Sequence, residues 1–168
     1  LFWNETSSGL EGKSENAHFK ITVYRGDIIR IQASRFEEFE SDPYAVVQEP
    51  IDTAFTLQDH GTHLLLKTDK IQVELSLASF GLRFLDQNGQ LLNADDEMAI
   101  SWIGTEVSVY KEVQAGERYL GLGEKTGNLD RKGRAYTNWN TDYFAYGVGD
   151  DPLYMSIHFY LGVHDQGA

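Results

Sequence analysis

One stretch of the chain concentrates the side chains that could do chemistry. Arg118–Tyr146 (RYLGLGEKTGNLDRKGRAYTNWNTDYFAY) leaves a short strand signal through Gly121, Gly123 and Gly127. It then enters a long segment rich in Asn, Asp, Arg, Lys, Trp and Tyr. Loops of that length without structure of their own are commonly functional or disordered. Tyr136, Trp139, Tyr143, Phe144 and Tyr146 are large groups that need somewhere to pack, which speaks against disorder. Flat aromatic faces beside Asp, Asn and Arg suit a polyhydroxylated ring: the apolar face of a pyranose stacks on the aromatic plane while charged and amide groups bond its hydroxyls. By residue type alone, an aromatic-rich loop that merely covers a sheet is the stronger reading.

Other constellations are weaker. Gly121-Leu122-Gly123-Glu124-Lys125-Thr126-Gly127 superficially resembles a nucleotide loop, but a dinucleotide fingerprint needs its third Gly one position earlier and a helix next. A phosphate loop needs Gly before Lys-Thr, where this chain has Glu124. The glycines fit a tight strand exit and close backbone approach. His60 and His63 around Gly61 have no third ligand pattern and read as a hairpin with exposed imidazoles. His158 and His164 flank the last strand signal as ordinary residues. Asp95-Asp96-Glu97 and Asp150-Asp151 lack the ligand alternation of a calcium loop and read as solvated loop charge. No metal site and no cofactor is expected, and among the 26 acidic residues no catalytic carboxylate pair stands out.

The elements that must position the loop follow a period of two. Phe19, Ile21 and Val23 alternate with Lys20 and Thr22; Ile29, Ile31 and Ala33 alternate with Arg30 and Gln32; Ile71, Val73, Leu75 and Leu77 alternate with Gln72, Glu74 and Ser76. Such alternation describes half-buried antiparallel strands. Gly26-Asp27 marks a turn between the first two, and Asn88-Gly89 is the strongest hairpin signal in the chain. Further strands are expected at Ala54–Leu57, Leu64–Lys67, Phe80–Leu85, Glu106–Val113, Arg118–Leu122 and Leu153–Val163, with Ile157–Val163 buried. No segment carries a helical stripe, although Phe36 and Phe39 with Glu37, Glu38 and Glu40 could make one helical turn. The spacing predicts an all-β antiparallel fold, a two-sheet β-sandwich or a large two-sheet assembly. His164–Ala168 reads as a turn with no returning strand, as in a chain cut in mid-architecture, or equally as a disordered tail after a terminal strand.

Composition narrows the partners. A formal net charge of −12 repels a phosphate backbone and an anionic membrane surface, so neither nucleic acid nor membrane is expected. A neutral partner such as a sugar is permitted. With no cysteine, disulfide scaffolds and thiolate metal sites are excluded. No apolar run reaches the roughly 20 residues that span a bilayer. The N-terminus has no basic region followed by an apolar core and is no intact signal peptide. The compartment stays open, with the cytoplasm slightly favoured.

Tyr119-Leu120-Gly121-Leu122-Gly123-Glu124-Lys125-Thr126-Gly127, then Leu129, Arg131, Gly133 and Trp139-Asn140-Thr141-Asp142, resemble the N-terminal β-domain of glycoside hydrolase family 31 in order and spacing. So does Asp151-Pro152-Leu153-Tyr154, followed by Ser156-Ile157 and an aromatic strand. The resemblance implies a sandwich of the galactose-mutarotase-like type over residues 1–168, with 123–152 as a long loop region on the substrate side. It also implies a neighbouring (β/α)8 barrel that carries a nucleophile and an acid/base carboxylate, as in retaining exo-α-glycosidases such as α-glucosidases. No alternation of strands and helices occurs in this sequence, so those carboxylates are absent from it. Carried over from the family motif, Asp142 would accept hydrogen bonds from hydroxyls of an α-glucoside near the subsite entrance, beside Trp139 and Thr141. That role is positioning and not bond cleavage, and this chain alone is expected to be inactive. A free-standing carbohydrate-binding module using the Trp139–Tyr146 aromatics is the alternative.

Overall fold

The alternating runs pair as antiparallel strands throughout, in a computed structural model that describes residues 1–39 and 46–164. No helix occurs among the described residues. The chain divides into two units, Leu1–Glu112 and Val113–Ala168.

In the first unit, β1 (Phe2–Thr6), β2 (Gly9–Lys13), β3 (His18–Arg25) and β4 (Ile28–Ser34) lie side by side in chain order as a four-stranded sheet. A second sheet of six strands follows the order β10-β9-β8-β7-β6-β5, built from β5 (Thr56–Asp59), β6 (His63–Lys67), β7 (Ile71–Ser76), β8 (Leu82–Asp86), β9 (Leu91–Ile103) and β10 (Glu106–Lys111). Within each sheet, consecutive strands are joined by short antiparallel returns, which is what a two-sided, alternating pattern permits. The Gly26-Asp27 turn leaves Arg25 opposite Ile28. At the Asn88-Gly89 turn, Asp86 Oδ1 accepts the amides of Asn88 and Gln90, both at 2.8 Å, and Gly89 takes φ 83. The amide of Gln90, chiefly, with those of Asn88 and Gly89, holds the Asp86 carboxyl below its ordinary value.

The core forms where the alternating apolar faces meet. Leu10, Phe19, Ile21 and Val23 from one sheet pack with Leu64, Leu66, Val73, Leu75 and Leu82 from the other, and Phe80 closes the cluster. Each such side chain, once fully buried, contributes about 1.5–3 kcal/mol. The expected two-sheet sandwich is therefore the fold of this chain.

The second unit pairs β11 (Arg118–Gly123) with β12 (Ser156–Val163) as a two-stranded sheet. Arg118 lies opposite Val163 and Gly121 opposite Tyr160, and the register shifts before Gly123 meets Ser156. The segment that connects the two strands contains no strand of its own.

Four features differ from the sequence expectations. β1 and β2 form in the N-terminal stretch, where Gly9 and Gly12 interrupt any alternation. The Asp95-Asp96-Glu97 run is not loop but part of β9: a bulge lets Val109 face Ile100 and Lys111 face Asp95, with Ala99 at φ 49. The Asp95 side chain is only 6% exposed, held by Lys111 Nζ at 2.5 Å and the Leu82 amide at 2.9 Å. Phe36 to Phe39 carries no helical turn, and Glu40 lies outside the described residues. Lastly, β12 is not a buried strand: Ile157, Phe159, Tyr160 and Leu161 are exposed, and among the described residues β12 pairs with β11 alone. Of the expected turn His164–Ala168, His164 is a bridge residue and 165–168 lie outside the described residues.

Candidate functional site

Gly121 and Gly123 set the geometry from which the long loop departs. They take φ 122 and φ 79, a region that L side chains rarely adopt. A Cβ on Gly121 would sit 2.6 Å from the Phe159 carbonyl oxygen, and one on Gly123 would sit 2.6 Å from that of Met155. The Gly-Leu-Gly pattern thus serves backbone approach between β11 and β12, in line with the reading that set it apart from nucleotide loops.

Beyond Gly123 the chain is held by side chains bonding backbone. Lys125, whose side chain is 0% exposed, donates to Asp151 Oδ1 at 2.7 Å and to the Thr137 carbonyl at 2.6 Å. The Thr137 amide donates to Asp151 Oδ2. Thr126 Oγ1 donates to the Asp150 carbonyl at 3.1 Å and accepts the Gly149 amide at 2.9 Å. Arg131 donates to the carbonyl oxygens of Asn128 at 2.7 Å and Gly121 at 3.3 Å. The guanidinium carbons of Arg131 and Arg134 lie 5.7 and 5.6 Å from the centre of the Tyr136 ring, within cation–π range. Asp150-Asp151 is therefore not solvated loop charge: Asp151 is the acceptor at the base of the loop, and Asp150 Oδ2 accepts the Gly147 amide at 2.7 Å.

The Trp139-Asn140-Thr141-Asp142 motif separates into residues that anchor and residues that present. Asn140 Oδ1 accepts the Ser156 amide at 2.7 Å, and the Trp139 carbonyl accepts Ser156 Oγ at 3.1 Å. The Thr141 amide donates to the Leu153 carbonyl at 2.9 Å, beside a fully buried Leu153 side chain. With its backbone so tied, the Trp139 side chain remains 69% exposed and Asp142 is exposed, while Thr141 is half-buried. Phe144 is 92% exposed. Tyr154 donates to the Tyr143 carbonyl at 2.8 Å and meets Tyr146 edge-on at 6.1 Å between centroids. Loss of solvation, then the charges of Asp142, Tyr146 and Glu124, raise the Tyr154 phenol above its ordinary value. Glu124 Oε1 is also 3.4 Å from the Tyr146 hydroxyl.

The three residues singled out from the sequence thus lie on one anchored turn of chain. Lys125, Asp151, Asn140 and Ser156, which hold that turn, were not singled out for a role. Their pairing spans as many as 26 positions of sequence, and no local pattern signals it. The paired histidines form a hairpin as expected: His60 and His63 stack at 4.8 Å, and the His60 amide donates to the His63 carbonyl at 3.0 Å. No group of three or more His, Cys, Asp or Glu placed to hold a metal occurs among the described residues.

The Asp151 carboxyl has a testable pH signature. Burial pushes it up, but the Lys125 hydrogen bond, the Thr137 amide and the charges of Lys125 and Arg134 outweigh this and hold it below 3.8. A carboxyl depressed in the folded state adds stability that is fully present above the unfolded value and is lost as pH falls through the folded one. Thermal melts of the wild type should therefore lose ground against Asp151→Asn as pH drops below 3.8. Melting profiles that stay parallel down to pH ~2 would rule this out.

Comparison with known proteins places the chain in a family. The sequence model of the glycosyl hydrolase 31 N-terminal galactose mutarotase-like domain matches residues 18–168. Alpha-glucosidase 2 of Bacillus thermoamyloliquefaciens is 36% identical over 153 residues, which cover 89% of this chain and 19% of that protein. An alpha-glucosidase of Saccharolobus solfataricus is 35% identical over 96 residues, covering 57% of this chain and 12% of the relative. The chain therefore spans about a fifth or less of the length of these relatives. Among solved structures, a glycoside hydrolase family 31 dextranase of Flavobacterium johnsoniae, complexed with glucose, superposes with a TM-score of 0.89 at 27% identity, over 96% of this chain and 21% of that one. With the domain model matching nearly the whole sequence and the sandwich superposing so closely, the chain belongs to the N-terminal, galactose-mutarotase-like domains of glycoside hydrolase family 31.

Proposed function

We propose that this chain is the non-catalytic N-terminal domain of a retaining exo-α-glycosidase, in first place an α-glucosidase. Residues 1–168 act as one domain of that enzyme, pack on its (β/α)8 barrel, and lend 123–152 to the substrate side of its pocket. Bond cleavage belongs to carboxylates of the barrel. The observation that carries this reading is the division of labour in the Trp139–Asp142 motif, where the backbone is tied to β12 and the Trp139 ring and Asp142 carboxylate are free to meet a ligand. A short carboxylate accepts two sugar hydroxyls at once, and an exposed indole offers a stacking face for the ring. Thr141, with its amide committed to Leu153, keeps its hydroxyl available as a further partner. The exposed apolar residues of β12 supply a surface suited to the barrel.

The test is Asp142→Ala in the full-length protein, assayed on maltose and isomaltose. Loss of a charged hydrogen bond to substrate predicts a fall in kcat/KM of about 1–3 kcal/mol, roughly 5- to 150-fold. An unchanged kcat/KM would sink the assignment of Asp142. Titration of the present chain alone with the same sugars separates the carbohydrate-binding module, which predicts tight binding, from the domain of a larger enzyme, which predicts weak binding or none.

A further inference from the structure

Thr137 has no sheet partner, yet both of its backbone polar groups are consumed by one buried ion pair. Its carbonyl accepts Lys125 Nζ at 2.6 Å, its amide donates to Asp151 Oδ2, and Lys125 and Asp151 close the ring at 2.7 Å. Thr126 Oγ1 ties Gly149 and Asp150 to the same base. Two and three residues on, the Trp139 carbonyl and the Asn140 side chain are bound to Ser156. The chain from Thr137 to Thr141 is thus pinned at both ends; Trp139 projects from the pinned span and Asp142 directly follows it. We infer that Lys125 and Asp151 are positioning residues, which set saccharide affinity by fixing the backbone that presents Trp139 and Asp142. The inference rests on the proposed role of Asp142.

The chemistry favours a positioning role over a contribution to stability alone. A lysine with no exposed side-chain surface has given up its hydration. A buried pair of this kind rarely adds more stability than well-packed apolar groups would, but its directional bonds fix one backbone conformation among several. Lys125 cannot reach a ligand from inside the loop, so it touches the sugar only through what it holds. Displacing a binding group by about 1 Å can lower function up to 100-fold.

The experiment uses the full-length protein with Lys125→Met, Asp151→Asn, Asp142→Asn and the pairwise combinations with Asp142→Asn. Lys125→Met should raise KM for maltose about tenfold with kcat within about twofold, as expected for lost uniform binding. Combined with Asp142→Asn it should add little, because both changes remove the same contact. Amide hydrogen exchange of residues 137–142 should quicken in Lys125→Met and stay unchanged in Asp142→Asn. If Lys125→Met does not fold, Asp151→Asn, which keeps an acceptor for the Thr137 amide but removes the charge, carries the same measurements. A variant of the pair with wild-type KM beside an Asp142→Asn that loses affinity overturns the positioning role alone, as do effects that multiply. An Asp142→Asn with unchanged KM overturns the reading of Asp142 and takes this inference with it, even where exchange of 137–142 has quickened.

Discussion

Phe19→Ala should destabilise the first unit by about 3–5 kcal/mol, a large part of the 5–15 kcal/mol that holds a typical domain together. Phe19 is 1% exposed, its ring lies 4.7 Å from that of Phe80, and it rests on Gly12, where an added Cβ would come within 2.6 Å of it. Truncation removes the ring from the middle of the interface between the two sheets, and β strands pinned on both sides cannot collapse into the space. Trp3 packs against the same cluster, so its fluorescence during urea unfolding reports the change. Phe2, in β1 but 68% exposed, is the internal control, and its truncation should stay within about 0.5 kcal/mol. A Phe19→Ala protein whose urea midpoint matches that of Phe2→Ala would contradict the core as described.

The second large effect is expected at Gly121. Valine there must hold φ 122 with a β-branched side chain, and its Cβ would meet the Phe159 carbonyl oxygen at 2.6 Å. Backbone strain of about 1–3 kcal/mol adds to the steric clash, so Gly121→Val should part β11 from β12 and release the loop they hold. Faster amide exchange across Arg118–Gly123 and a steep fall in kcat/KM of the full-length protein are the expected results. Gly133→Ala is the matched comparison: φ is 80 but nothing lies within 4 Å of the added Cβ, so only the strain of the backbone remains. Equal effects at the two glycines would show that close approach of the strands is not what Gly121 provides.

The contrast between these positions bears on how much of the molecule is legible in its sequence. Phe19, Ile21 and Val23, or Ile71, Val73 and Leu75, announce strands because burial on one face writes a period of two into the chain. Asn88-Gly89 announces its hairpin because the turn needs a backbone that Gly89 allows. β1 and β2 escape such reading, since Gly9 and Gly12 are selected by contact with backbone and ring and not by alternation. Asp95 is misread for a related reason: an acid looks solvated until its cation, Lys111, is brought across the bulge between β9 and β10. At the site, motif order marks Trp139, Thr141 and Asp142. The ion pair that holds them is invisible, because Lys125 and Asp151 meet only after the whole loop has closed.

That closure has an evolutionary consequence. The bonds that shape the loop run largely from Lys125, Thr126, Arg131, Asn140, Asp151 and Ser156 to backbone atoms, or to one another. Few depend on what side chain stands at Trp139, Asp142 or Phe144. Mutation at these outward positions is therefore nearly free of folding cost, and if they meet a saccharide as proposed, its preference can drift by single substitutions while the loop keeps its path. On the proposed function, a library randomised at 139 and 142 would sample new sugar preferences on one constant scaffold.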